Sequence, residues 1–364
     1  MNYTVHPRLT LVVACALAIA ATACSTSPRP QTQAVPTEPP ATTPTTASAT
    51  TTPKPAATSK PKPTAILSNQ HTIALGLTAD IIVPAGPVVY ALSMRNGTVG
   101  VVRMDITKQA VTARRSFRGN SVRASVGGGR LAVLTTSPTT IRELDLRTLQ
   151  TDASAMLSTP AADVLARPEA TYVSTPGHIL ALDPQTLRTR RSVRVDDSPA
   201  ASGAKGAAIA ADPRSQILYA GIPNGQGPPP VVDVVDLRAG RVIARPTVDA
   251  VVDAEPQGYG DDAWVVFATG MMASAERLDP TGKKLAQIGP IGPNSSTIAV
   301  TGRHLWTFSP STFAPIACRD LSTGAVQGSA AHPEVGVAAA ADNTHVYLSV
   351  DDSLLVFTPS GRCA

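Results

Sequence analysis

From residue 70 onward the apolar positions fall into short runs of β-branched and small residues, broken every few positions by Gly, Pro, Asp, Asn or Thr. The i, i+3, i+4, i+7 spacing of an amphipathic helix is essentially absent, so the pattern predicts strands joined by tight turns. One unit recurs: a β-run, a turn, a second β-run ending near Asp, then a turn with Thr or Gly. It reads VVRMDITKQAV at 101–111, IRELDLRTLQT at 141–151, ILALDPQTLRT at 179–189 and VVDVVDLRAGRVI at 231–243. It continues as AERLDPTGKKLAQ at 275–287 and ACRDLSTGAVQ at 317–327, with a degraded copy, LLVFTPSGRCA, at 354–364. The anchors Asp105, Asp145, Asp183, Asp236, Asp279, Asp320 and Thr358 are spaced by 40, 38, 53, 43, 41 and 38 residues. A strand-rich period near forty is that of a propeller blade, a four-stranded sheet that buries its faces only by stacking on its neighbours.

The aromatic residues give the same register. Of only thirteen Phe, Tyr and Trp side chains, Tyr90, Tyr172, Tyr219, Trp264, Trp306 and Tyr347 each fall 11 to 17 residues before an anchor, with Val133 in that place in the second unit. They are expected to be second-strand residues packed between blades. Upstream of them lie turns rich in Gly, Pro and Asp and then runs of small residues, such as Ala207–Ala210, Ala250–Val252 and Val337–Ala339. Small side chains suit innermost strands that converge on a central channel. The fold class is therefore all-β, a seven-bladed propeller with blades at 77–117, 118–157, 158–195, 199–247, 248–289, 290–329 and 330–364. The last blade lacks an outer strand, and residues 70–75 (QHTIAL) are left over at the other end, so they are expected to supply it and close the ring.

The first 64 residues follow no such pattern. Leu9–Ala20 is a twelve-residue apolar run after Arg8, too short to span a bilayer and of the length of an export signal. Small residues lead to Cys24, after which residues 25–64 hold ten prolines and twelve threonines and no apolar side chain larger than Val. Such a segment cannot bury enough surface to offset its ordering entropy. As a tether it would reach about 35 Å as a flexible coil and about 120 Å fully extended. The pattern around Cys24 resembles a bacterial lipoprotein signal, in which the cysteine becomes the acylated first residue. The expected organisation is a signal peptide over 1–23, a disordered Pro/Thr-rich linker over 24–64 and the propeller over 65–364. The protein would then be exported and held on the outer face of the membrane by a lipid on Cys24.

Charge narrows the partners. The net charge is +5, but residues 1–64 carry five basic side chains and one acid, leaving 26 basic and 25 acidic groups in the propeller. A nearly neutral domain argues against nucleic acid as a partner. Setting aside Cys15 in the signal and Cys24, two cysteines remain, Cys318 and Cys363. In an exported protein they are expected to form a disulfide.

The Tyr-Val-Ser-Thr at 172–175, Leu218-Tyr219-Ala220 and the repeated Leu-Asp-x-x-Thr turns resemble the YVTN-type seven-bladed propellers, especially those of exported actinobacterial lipoproteins. The resemblance covers about 77–364 and implies fold and compartment. Its motifs are packing and turn residues, so it says little about activity. Related propellers include lactonases and quinoprotein-like proteins, and no catalytic or cofactor motif of either matches positions here.

The search for chemistry returns little. The six histidines stand at no metal-ligand spacing, and there is no G-x-S-x-G, P-loop or dinucleotide fingerprint. Neither a metal nor a cofactor is implied. Three features remain. Asp80, Arg123, Asp163 and Asp253 fall in or beside inner strands and, facing the channel, would form a polar cluster for a cation or polar ligand. The long fourth repeat contains Pro223–Pro230, a loop that with Asp196–Lys205 would rise on one face. The acidic turn Glu255–Asp262 would lie on the other. These observations imply a membrane-anchored, non-enzymatic binding or scaffold module that meets an envelope protein or polymer. A channel-centred hydrolase of lactonase type and a small-ligand capture protein stay open as alternatives.

Overall fold

The computed structural model describes residues 66–195, 206–222, 231–248, 254–269, 272–293, 296–309, 315–331 and 338–364. These residues fold into seven four-stranded antiparallel sheets and one short 3-10 turn, Gly361–Cys363. The first strand, β1 (Leu67–Ala74), belongs to the last sheet. Blade 1 runs from the axis outward as β2 (Ile81–Ala85), β3 (Val88–Arg95), β4 (Thr98–Asp105) and β5 (Ala110–Arg118). Blade 2 is β6 (Val122–Gly127), β7 (Arg130–Thr135), β8 (Thr140–Asp145) and β9 (Thr151–Met156), and blade 3 is β10 (Asp163–Ala166), β11 (Thr171–Thr175), β12 (His178–Leu182) and β13 (Thr189–Arg194). Blade 4 comprises β14 (Ala208–Ala210), β15 (Ile217–Ile222), β16 (Val231–Asp236) and β17 (Arg241–Ala244). Blade 5 comprises β18 (Ala254–Tyr259), β19 (Asp262–Thr269), β20 (Met272–Leu278) and β21 (Lys284–Pro293). Blade 6 is β22 (Thr297–Val300), β23 (His304–Phe308), β24 (Ile316–Asp320) and β25 (Val326–Ala330). Blade 7 takes β26 (Ala338–Ala341), β27 (Val346–Val350) and β28 (Ser353–Pro359) from the end of the chain and β1 from its start.

The inner strands β2, β6, β10, β14, β18, β22 and β26 each adjoin the next, and β26 adjoins β2, so the ring is complete. Their composition explains the closeness: β26 is four alanines and β14 is Ala-Ile-Ala. Antiparallel order puts the turns between strands one and two, and three and four, on one face, here the lower. The connections between strands two and three, and from blade to blade, leave from the upper face. The small-residue run at 250–252 lies outside the described residues; in blade 5 the described inner strand is Ala254–Tyr259, and β21 extends to Pro293, past the expected blade limit at 289.

The expected second-strand aromatics lie in β3, β11, β15, β19, β23 and β27 and are buried, five of them at 1% exposure or less. Their apolar bodies fill the seams, and several polar tips reach into the neighbouring blade. Tyr90 Oη donates to the Leu146 carbonyl (2.6 Å), Tyr219 Oη to the Asp261 carbonyl (2.7 Å) and Trp264 Nε1 to the Leu321 carbonyl (3.1 Å). A buried ring thus keeps its polar atom satisfied while tying one blade to the next blade's lower turns. The turns are held by their anchors. Asp145 Oδ1 accepts from the backbone N–H groups of Arg147 and Thr148 and from the Thr148 hydroxyl, and Asp183, Asp279 and Asp320 repeat the arrangement.

A repeat not visible beforehand lies at the rim. Every outer strand has a register shift where it pairs with its neighbour, after the first pair in blades 2, 3, 5 and 6 and after the second in blades 1 and 4. Such bulges twist an unpaired edge and interrupt its row of free hydrogen-bonding groups, which discourages sheet-to-sheet association.

Candidate functional site

Asp80, Arg123 and Asp163 stand at the start of three successive inner strands, on the upper face of the ring. The carboxylates are engaged with the scaffold. Asp163, 1% exposed, accepts from its own neighbour Val164 N–H through Oδ1 and from Ile209 N–H of blade 4 through Oδ2, each at 2.8 Å. Asp80 Oδ2 accepts from Met94 N–H at 2.7 Å, pinning the end of β3. Arg123 Nη1 donates to the adjacent Val122 carbonyl. Asp253 lies outside the described residues, as do 196–205 and 223–230. Ser125 and Ser349 act like Asp163, their hydroxyls accepting from Ala166 N–H and Ala79 N–H of the next blade. Asp163 and Ser125 therefore tie successive inner strands together, whereas Asp80 and Arg123 bind within their own blades, and sequence reading singled out Asp163 without revealing this role.

The acidic turn of blade 5 is also structural. Glu255 belongs to β18, and the turn proper comprises Gly260 and Asp261. Asp261 accepts from Ser215 Oγ (2.6 Å), Gly260 N–H donates to Asp212 Oδ2, and the Asp262 carboxylate is held by Arg277. The buried carboxylates elsewhere are paired in the same way. Glu143 faces Thr171 and Arg130, Asp233 faces Arg245 at 3.1 Å, and Glu276 faces Lys284 at 2.7 Å. Burial pushes the Glu143 carboxyl above its usual range, opposed by the Thr171 hydroxyl and the Arg130 charge. Among the described residues no group of three or more His, Cys, Asp or Glu side chains is placed to hold a metal ion. Cys24 precedes the described residues. Cys318 and Cys363 are bonded, with 6.1 Å between their Cα atoms and both side chains buried.

What sequence reading missed is the distribution of charge. Residues 66–195, blades 1 to 3, carry fifteen basic and eight acidic side chains, +7, whereas residues 206–364 carry ten and fifteen, −5. The near-zero total conceals a ring with two electrical halves. A running sum along the chain shows it once blade limits are known. The basic excess gathers on outer strands β5, with Arg114, Arg115 and Arg118, and β13, with Arg190, Arg191 and Arg194. Arg191 is committed to the scaffold, since its guanidinium donates to the carbonyls of Leu237, Arg238 and Ala239 at the blade 4 turn. That turn ends on Gly240, where φ is +66° and a side chain would meet the guanidinium. A shallow groove of about 420 Å³ runs beside β5, lined by Leu77, Val101, Val102, Arg114, Arg115 and Ser116.

No family model matches this chain, and no curated protein matches it. Solved structures do. BamB from Moraxella catarrhalis superposes with a TM-score of 0.54 at 16% identity, covering 80% of this chain and all of that one. The β-propeller domain of Cps50 (Swd1) from Myceliophteria thermophila gives 0.59 at 12%, covering 80% and 99%. Kuenenia stuttgartiensis hydrazine synthase gives 0.60 at 13%, covering 79% and 96%. At these identities the likeness is one of fold: this chain is a seven-bladed β-propeller.

Proposed function

We propose that this protein is an exported lipoprotein of the cell envelope, acylated at Cys24, whose propeller is a non-enzymatic binding scaffold for an envelope partner. The observation that carries the reading is the engagement of the inner-strand carboxylates. Asp163 spends both oxygens on backbone N–H groups, one of them in the next blade, and Asp80 is tied to Met94 N–H. A general base needs a lone pair directed at substrate; both oxygens of Asp163 and Oδ2 of Asp80 are directed at the fold. Binding then belongs to the outer surfaces of a rigid ring, the usual use of loops and edges on such a scaffold. The apolar run before Cys24 and the Pro/Thr-rich stretch after it support the anchored, tethered arrangement, as does the resemblance to YVTN-type lipoproteins.

The test is mild crosslinking of the full-length protein in its native envelope, followed by mass spectrometry. A stoichiometric protein partner and an acyl mass on Cys24 are expected. Recovery of the protein alone and without acylation refutes the reading.

A further inference from the structure

We infer that β5 of blade 1 is a docking edge for an extended acidic segment of a partner protein, which adds to the sheet as a fifth strand. The inference rests on the scaffold reading and names the surface and the chemistry of the partner.

The seven rims are not equivalent. After its bulge, β5 pairs with β4 without interruption over six residues, Ala113 to Arg118 opposite Arg103 to Thr98. The regular runs beyond the bulge are four residues in β9, β13 and β1, three in β25 and one in β17. In β21 a second irregularity limits the run to three, and the strand also holds Pro290 and Pro293. β5 therefore offers the longest regular edge among the described residues, and it is the end strand of its sheet. An unblunted edge is a template for another strand unless something guards it.

The guard here is charge, and it is selective. Arg114, Arg115 and Arg118 are exposed along the run. Arg114 is fixed by donating to the Leu75 carbonyl at 2.5 Å. Neither Arg115 nor Arg118 is tied to another described residue, although both stand in the half of the ring that carries +7. Guanidinium groups left open on an edge repel a second copy of the same edge and attract a strand bearing carboxylates, which they bind in a fork. Arg115 shares its face with Val101 and Phe117, and Arg114 and Ser116 share the other with Val102 and Gly100. The groove with Leu77 at its side gives an aliphatic residue of the incoming strand somewhere to rest. An alternating acidic and β-branched segment would set its carboxylates on the Arg115 face and its β-branched side chains on the opposite face beside Leu77, with Arg118 at the strand end adding to the positive field.

The experiment titrates a fluorescein-labelled octapeptide of alternating Glu and Val with the full lipidated chain in non-ionic detergent. Anisotropy reports affinity, and hydrogen exchange reports which amides become protected. Expected are binding that weakens with salt, new protection confined to Ala113–Arg118, and at least a tenfold loss of affinity in R115E/R118E. The milder R115Q/R118Q pair should fall between, and both pairs should keep the parent melting temperature because the side chains are exposed. Equal binding of a Lys–Val octapeptide, unchanged affinity in the charge reversals, or protection elsewhere on the ring overturns the inference. So does tighter binding of dihexanoyl phosphatidylglycerol than of the peptide, which would make the edge a lipid-headgroup site. A partner crosslinked through the upper face, with β5 unprotected, removes this docking edge and leaves the scaffold reading standing.

Discussion

The seams around blades 3, 4 and 5 differ from those around blades 6, 7 and 1 in what crosses them. In the first group the ties are polar side chains. Asp163 reaches Ile209 N–H, the buried Arg167 guanidinium donates to the carbonyls of Asp212, Pro213 and Ser215, and Tyr219 and Ser215 bind Asp261. In the second group side chains cross too, Asn343 Oδ1 accepting from Gly302 N–H and Ser349 Oγ from Ala79 N–H, but pairing of the two chain ends within blade 7 and a disulfide between blades are added. β1 pairs with β28 from Leu67↔Pro359 to Ala74↔Ser353, Ser360 N–H donates to the Ile66 carbonyl, and the disulfide fastens Cys363 to β24. A propeller has one place where its two ends meet, and there no covalent backbone links neighbouring strands. Strand pairing and a disulfide restore there the connectivity that other blades inherit from their turns. Where the backbone is continuous, side-chain bonds adjust the fit between blades already held together.

The largest effect should come from breaking the closure. Removing residues 66–74 leaves β28 as an open edge and uncovers part of the core around Ile73, Leu348 and Phe357, so we expect no cooperative melting transition and strong dye binding. A melting temperature equal to the parent's would show that closure is not what holds the ring. Next is C318S/C363S. The bond closes a loop with a sequence separation of 45, and a loop of that length contributes about 2–4 kcal/mol. Chemical denaturation under matched conditions should show that loss, with a steeper slope because the unlinked unfolded chain exposes more surface.

The side-chain seams should respond more weakly. Asp163→Ala leaves Ile209 N–H and Val164 N–H buried without an acceptor, which costs about 1–3 kcal/mol. A cost above that of the missing disulfide would invert the contrast between the two regions. Tyr219→Phe deletes one interblade hydrogen bond and should cost about 1 kcal/mol in the same assay. The smallest effect is acid sensitivity of the lower turns. Backbone N–H of Thr186 is the main influence holding Asp183 down to about 2, and the Ser322 hydroxyl does most for Asp320, also down to about 2. Folded values below the unfolded ones mean that these turns contribute fully above about pH 4. The contribution is lost as pH falls through about 2. Melting temperature should decline across that window, and less steeply in D183N/D320N; equal slopes would remove the turns as its source.

Much of this could be read in the chain before any coordinates. Blade number and period followed from the anchors, because a turn that satisfies its backbone through Asp and Thr must recur wherever the third strand turns into the fourth. The aromatics were legible because so few large rings were available to fill the seams. The blade 5 inner strand was not: its stretch from Ala254 to Tyr259 holds Glu255, Pro256 and Gln257, and neither small size nor alternation marks it. The polar positions near the axis were visible as residues, but the partners that matter for Asp163 and Ser125 lie in the next blade, 46 and 41 positions away.

Sequence alone determined the fold class, the seven-fold repeat and the segregation of a low-complexity N-terminal segment from a strand-rich domain. Those depend on local periodicity and composition, which the order of residues contains in full. Only the tertiary structure decided which carboxylates are spent on the scaffold and that β5 has the longest unbroken edge among the described residues. Each depends on which strands come to lie side by side and in what register, and that is settled by packing between residues distant in the chain.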